Sequence, residues 1–116
     1  MRVVLFEDEP DIAYMQQTLL TRFGCQVETP SIRQREELNW KIRWSETDVA
    51  IVDLMMPHLG GDVIVRWIKQ HQPHVRVLLV TAAPSQIPDD LPADVILVKP
   101  FHVDDLYRAV NHGYSA

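Results

Sequence analysis

The sequence is short of several things that would widen its chemistry. It has one cysteine, Cys25, in 116 residues. No disulfide can form within the chain, which suits a reducing compartment. It has four glycines, none before Gly24, so no glycine cradle follows the first apolar segment. A nucleotide or flavin phosphate bound there would need one. No apolar run is long enough for a signal peptide or a membrane span: residues 1–6 are largely apolar and the chain then turns acidic at once. The expected location is the cytoplasm. An excess of positive charge is also missing. Eleven Lys and Arg face 16 Asp and Glu, a net charge of −5, which argues against direct nucleic-acid binding by this domain. The five histidines are scattered at 58, 71, 74, 102 and 112. His71 and His74 flank Pro73 and read as loop residues rather than a ligand pair.

What is present is an alternation of strand and helix. The length fits a single domain, 1–116. Apolar runs at Val3–Phe6, Val49–Val52, Val75–Val80 and Val95–Val98 have the continuous character of strands buried on both faces, and Gln26–Thr29 is a weaker strand. Pro10 can open a helix whose apolar stripe is Ile12, Met15, Leu19 and Phe23, with Gly24 as its stop. Ile32, Leu38 and Ile42 suggest a second helix. Asp62 can cap a third, with Ile64, Trp67 and Ile68 as its stripe and Pro73 at its end. Val103–Val110 is the last. Five parallel strands with helices on both faces point to a doubly wound α/β fold, flavodoxin-like, in strand order 2-1-3-4-5.

The polar residues of interest all fall just after strands. Glu7 and Asp8 follow the first, Asp53 ends the third, Thr81 follows the fourth and Lys99 the fifth. In such a sheet, ligands bind beyond the carboxyl ends of the strands, at the switch point between strands one and three. Three carboxylates would converge there, and two unit charges about 4 Å apart repel by roughly 4 kcal/mol at an effective dielectric of 20. Lys99 offsets part of this. A hard divalent cation, Mg2+ or Mn2+, would offset more. An aspartate beside such a metal can attack a phosphoryl donor, and a lysine and a hydroxyl can hold the transferred group. Each residue alone also has an ordinary reading, as a helix start, a turn cap or surface charge. Their coincidence at successive strand ends is what carries weight.

Four segments make the pattern specific: Phe6-Glu7-Asp8-Glu9-Pro10-Asp11, the run 48–57 around Asp53 ending Leu54-Met55-Met56-Pro57, Val80-Thr81-Ala82, and Val98-Lys99-Pro100-Phe101. Together they resemble the receiver domains of two-component response regulators over essentially the whole chain. The resemblance implies that Asp53 is the phosphoacceptor. It implies that Asp8, Glu7, Asp53 and the Met55 backbone carbonyl hold the metal, and that Thr81 and Lys99 sense the phosphoryl group. It also implies a cis Lys99–Pro100 peptide. The implied partners are a sensor histidine kinase or histidine phosphotransfer protein as donor, a downstream output domain or protein, and a second copy in a homodimer. A receiver catalyses only its own phosphorylation and dephosphorylation.

The chain departs from the family pattern in three places. Glu7 stands where an aspartate is common. Ile96 stands where an aromatic switch residue is usual. Residues 82–98, which separate Thr81 from Lys99, are fewer than usual and include Pro84, Pro88 and Pro92. A proline inside a helix costs about 3 kcal/mol, so the fourth helix is expected to be very short, displaced or absent. Signalling is then expected to use another face, either the first helix or a surface carrying Trp40 and Trp44, which at a spacing of four would share one helical side. Packing of these tryptophans on the sheet is the alternative. Three rival functions remain. A degenerate receiver would act as an unphosphorylated interaction module. A flavin or nucleotide binder lacks its glycines. A phosphatase with an aspartyl-phosphate intermediate commonly has a second carboxylate two residues after the nucleophile, where this chain has Met55.

Overall fold

The computed structural model describes residues 1–111. Five strands, β1 (Arg2–Phe6), β2 (Gln26–Glu28), β3 (Val49–Asp53), β4 (Arg76–Thr81) and β5 (Val95–Val98), form one parallel sheet in the order β2-β1-β3-β4-β5. Three α-helices cover it: α1 (Pro10–Arg22), α2 (Gly61–His71) and α3 (Val103–Asn111). This is the flavodoxin-like doubly wound architecture expected from the strand pattern. The β1–β3 register sets Phe6 beside Val52, and the β3–β4 register sets Asp53 beside Val80. The ends of the first, third and fourth strands therefore lie side by side.

Side chains alternate across each strand. Val4, Phe6, Ala50, Val52, Val77 and Leu79 point to one face and pack with Ile64, Val65, Trp67 and Ile68 of α2. Val3, Leu5, Val49, Ile51, Leu78 and Val80 point to the other and pack with Leu20 of α1 and Leu106, Ala109 and Val110 of α3. In β5 only the second set is covered: Val95 and Leu97 are buried, while Ile96 and Val98 are exposed. The reason is the missing fourth helix. Between β4 and β5 a single 3-10 turn, Pro84–Gln86, stands in its place, as the three prolines led us to expect.

The expected second helix does not form. Residues 29–48 hold two 3-10 turns, Arg35–Asn39 and Trp44–Glu46. The Leu38 carbonyl, which a continuing α-helix would use, accepts the Trp44 indole N–H at 2.7 Å. Trp44 then stacks against Phe6 at 6.3 Å and packs tilted on Trp67 at 5.5 Å. Burying that large ring outweighs one more turn of helix. Trp40 and Trp44 consequently share no face: Trp44 is buried and Trp40 is 69% exposed. The turn is closed by Glu37, whose carboxylate accepts the N–H groups of Arg33 and Gln34 and pairs with Lys41.

Three further expectations need correction. On α1 the buried positions are Gln16 and Leu20, with Ala13, Leu19 and Phe23 packed around them, while Met15 is exposed. The helix stops where expected, with Gly24 at φ +89°, a conformation that glycine adopts without strain. Asp62 does not cap α2. The cap position is Gly60, and Asp62 lies in the first turn. His71 is not in a loop but ends α2, stacked on Trp67 at 4.6 Å. His74 is a loop residue, its Nε2 2.9 Å from the Trp44 carbonyl. His112 and the end of the 1–116 domain lie outside the described residues.

Candidate functional site

The carboxyl end of the sheet gathers the predicted residues. Glu7 and Asp8 leave β1 just before Pro10 starts α1, and Asp53 is the last residue of β3. One carboxylate oxygen from each of Glu7, Asp8 and Asp53 lies within 4.8 Å of the others. Lys99, just past β5, reaches across: its Nζ is 3.5 Å from Glu7 Oε1 and 3.6 Å from Asp53 Oδ2. Thr81 closes β4 and is fully buried. Its carbonyl accepts the Lys99 backbone N–H at 2.8 Å, which ties the two strand ends together. The Lys99–Pro100 peptide is cis, as the resemblance implied. Met55 sits in the loop after Asp53, and its N–H donates to Asp53 Oδ1 at 3.2 Å.

The electrostatics are those of a crowded acidic site. The Glu7 side chain is only 2% exposed. Burial pushes its pKa up to about 7, and the adjacent Asp53 carboxylate adds to the rise, while Lys99 pulls it down. A carboxyl group held near neutrality in this way marks a place where negative charge is in excess. Three oxygen donors at this spacing fit a hard divalent cation. The site thus carries an acidic cation pocket, a lysine and a hydroxyl, the set that supports attack of a carboxylate on a phosphoryl group.

Two features around the site were not read from the sequence. One is Gly61. The α2 N-terminus presses on the loop that follows Asp53, with Gly61 N–H donating to the Leu54 carbonyl at 2.9 Å. A Cβ built at Gly61 would lie 2.2 Å from the Asp53 carbonyl oxygen. The Gly60-Gly61 pair signalled only a loop; the close approach depends on how α2 docks. The other is a hollow of about 430 Å³ beside Lys99, lined by Ile12, Met15, Ala82, Pro100 and Phe101 among others. The spacing of Met15 predicts the buried stripe of α1, so its place on a surface is not visible in the sequence.

Among the described residues no helix is long and apolar enough to cross a membrane. The response regulator receiver domain family model matches residues 3–111. The chain is 30% identical over 114 residues to the transcriptional regulatory protein GltR of Pseudomonas aeruginosa, covering 93% of this chain and 46% of that protein. It is 31% identical to the response regulator SaeR of Staphylococcus epidermidis, covering 95% and 48%. The chain thus spans about half the length of these curated relatives. Among solved structures, the response regulator TrrA of Thermotoga maritima in complex with Mg2+-BeF superposes with a TM-score of 0.80 at 28% identity, over 94% of this chain and 95% of that one. TrrA in complex with the histidine kinase ThkA gives 0.81 at 27% identity, over 98% of each chain. With the sheet order, the strand-end residues and the family match in agreement, the chain belongs to the response regulator receiver domains.

Proposed function

We propose that this domain accepts a phosphoryl group on Asp53 from a phosphohistidine of a sensor histidine kinase or histidine phosphotransfer protein, and that the modified site switches a protein–protein contact. The observation that carries the reading is the meeting of Glu7, Asp8 and Asp53 within 4.8 Å, with Lys99 bridging two of them. That arrangement is costly unless cations enter it, and it points the acceptor carboxylate at them.

Glu7, Asp8, Asp53 and the Met55 backbone carbonyl would hold Mg2+, or Mn2+ in its stead. When bound, the metal supplies positive charge that the transferring phosphoryl oxygens need. In the transfer an Asp53 carboxylate oxygen attacks phosphorus, a P–O bond forms, and the P–N bond of the phosphohistidine breaks. The electron pair of that bond stays on the departing imidazole nitrogen. Lys99 stabilises the charge on the phosphoryl oxygens, and the Thr81 hydroxyl donates a hydrogen bond to them. Hydrolysis of the acyl phosphate by water returns the carboxylate. No outside substrate is turned over.

The apolar hollow between α1 and Phe101 opens beside Lys99, and Met15 and Tyr14 on α1 are exposed. A donor protein seated there would bring its phosphohistidine within reach of Asp53. The relatives named as regulators are about twice as long, which supports an output domain as the downstream partner.

Incubation with Mg2+ and acetyl phosphate, read by intact mass, tests the reading. A gain of one phosphoryl group that requires Mg2+ and disappears in Asp53→Asn is expected. A folded protein that gains none with any donor or metal would instead be a constitutive interaction module.

A further inference from the structure

Three uncharged polar residues are buried among the described residues: Gln16, Thr47 and Thr81. Two of them are satisfied. The Thr47 hydroxyl donates to the Arg43 carbonyl at 2.8 Å, and Thr81 Oγ1 accepts the Ala83 N–H at 2.9 Å. Gln16 is different. It is only 5% exposed, and among the described residues its side-chain amide has no hydrogen-bond partner. A primary amide carries two donors and an acceptor. Holding one away from water without a partner costs free energy, so a buried, unspent amide marks a place where something else pairs with it.

The place is a cavity. Ile12, Gln16 and Leu20 are four apart and share one face of α1. Leu20 enters the core, while Gln16 lines the hollow of about 430 Å³ beside Lys99. The walls around the amide are Ile12, Met15, Ala82, Pro100 and Phe101. The one charged side chain on the lining, Lys99, is turned to Glu7 and Asp53. A water held in such a place needs roughly two to four polar partners, and these walls offer little beyond Gln16. The hollow has the size and the apolar character of a site for a small organic molecule, with one polar group to orient it.

We propose that this hollow binds a small planar apolar molecule with an amide edge, a carboxamide or lactam, and that Gln16 is the residue that recognises the edge. Such an edge sets one N–H donor beside one carbonyl acceptor. The Gln16 carbonyl accepts the ligand N–H, and the Gln16 amino group donates to the ligand carbonyl. The apolar body packs on Ile12, Met15 and Phe101. A site whose buried polar group must pair rejects an analogue that lacks the matching donor. The binding itself does not depend on Asp53 as the acceptor. Its consequence rests on the reading given above: the ligand occupies the face on which a donor protein would sit, so the domain gains a small-molecule input ahead of phosphoryl transfer.

Benzamide is the probe. Acetophenone, which keeps its shape and carbonyl but lacks the N–H donors, is the comparison. Both are titrated into isotope-labelled protein, without metal or phosphodonor, and followed by the NMR shifts of backbone and glutamine side-chain amides. Shifts at Ile12, Met15, Gln16, Ala82 and Phe101 are expected, with benzamide bound about five- to tenfold more tightly, the scale of one hydrogen bond to a buried group. Gln16→Met is expected to bind the two compounds alike and to be no less stable in urea, since it removes an unpaired buried amide. Equal affinity of the wild-type protein for the two, no shifts at the hollow, or a preference for benzamide that survives in Gln16→Met overturns the proposal. So does a Gln16→Met protein that is clearly less stable, because the amide would then have a partner within the fold. All of these outcomes leave the acceptor assignment to the separate test with acetyl phosphate.

Discussion

Lys99 Nζ lies 3.6 Å from Asp53 Oδ2, at the end of a strand that does not pair with the strand carrying Asp53. β4 stands between them, so the contact spans the width of two strand spacings and is made by the length of the lysine side chain. Shortening that side chain therefore removes the link without touching the sheet.

Lys99→Ala leaves three carboxylates without the cation that pairs with two of them. The metal-free protein is expected to lose stability at pH 8, above the Glu7 pKa of about 7, and much less at pH 5. Phosphoryl uptake from acetyl phosphate is expected to slow at least about tenfold, the scale of removing one electrostatic stabiliser from a reacting site. Urea titrations at the two pH values and a mass-spectrometric time course measure these effects. Equal stability loss at both pH values would mean the lysine acts by packing.

Glu7 gives the metal-free protein its own pH dependence. Its pKa is raised in the folded state from 4.5 to about 7. The folded state therefore holds more protons than the unfolded state between those values, and stability falls as pH rises through that window. Thermal unfolding in a chelating buffer should show the fall, and Glu7→Gln should flatten it. Added Mg2+ competes with the proton and is expected to stabilise more at pH 8 than at pH 5.5. A wild-type profile that does not decline over this range contradicts the assignment.

Gly61→Ala places a methyl group 2.2 Å from the Asp53 carbonyl oxygen and 2.7 Å from Leu54 Cα. Backbone cannot yield there cheaply, so a loss of about 1–3 kcal/mol is expected in urea unfolding. Phosphoryl uptake is expected to slow as well, because α2 can only retreat by pulling on the loop that follows Asp53. Gly60→Ala meets only the Asp62 side chain and serves as the control.

The two tryptophans of the β2–β3 connection should behave oppositely. Trp44→Ala empties a site packed by Phe6 and Trp67 and frees the Leu38 carbonyl; a loss of about 3–5 kcal/mol is expected. Trp40→Ala removes an exposed ring and is expected to change stability by no more than about 0.5 kcal/mol. Chemical denaturation of both variants decides it.

The sheet and the site could be read from the sequence because their signals are local. A strand buried on both faces is an unbroken apolar run, and each site residue sits directly after such a run. The missing fourth helix could also be read, since the prolines at 84, 88 and 92 exclude it by geometry. The second helix predicted by spacing does not form because its fate depends on a distant event, the entry of Trp44 between Phe6 and Trp67. Spacing of Ile32, Leu38 and Ile42 carries no trace of that. The same holds for Asp62. It has the chemistry of a cap, but docking of α2 against Leu54 moves the cap two residues back to Gly60 and starts the helix at Gly61, where only glycine fits. On α1, Met15 has the right spacing for the core but rotates out, and Gln16 goes in.

The alternation of side chains across the sheet has a mechanical consequence. Among the described residues none belongs to both apolar clusters, so the two compartments share only main chain. A disturbance that begins among α1 and α3 reaches α2 by displacing a strand bodily. The sheet behaves as a stiff diaphragm between two closely packed chambers. Asp53 is set in its middle strand, at the rim, where one push is felt on both sides.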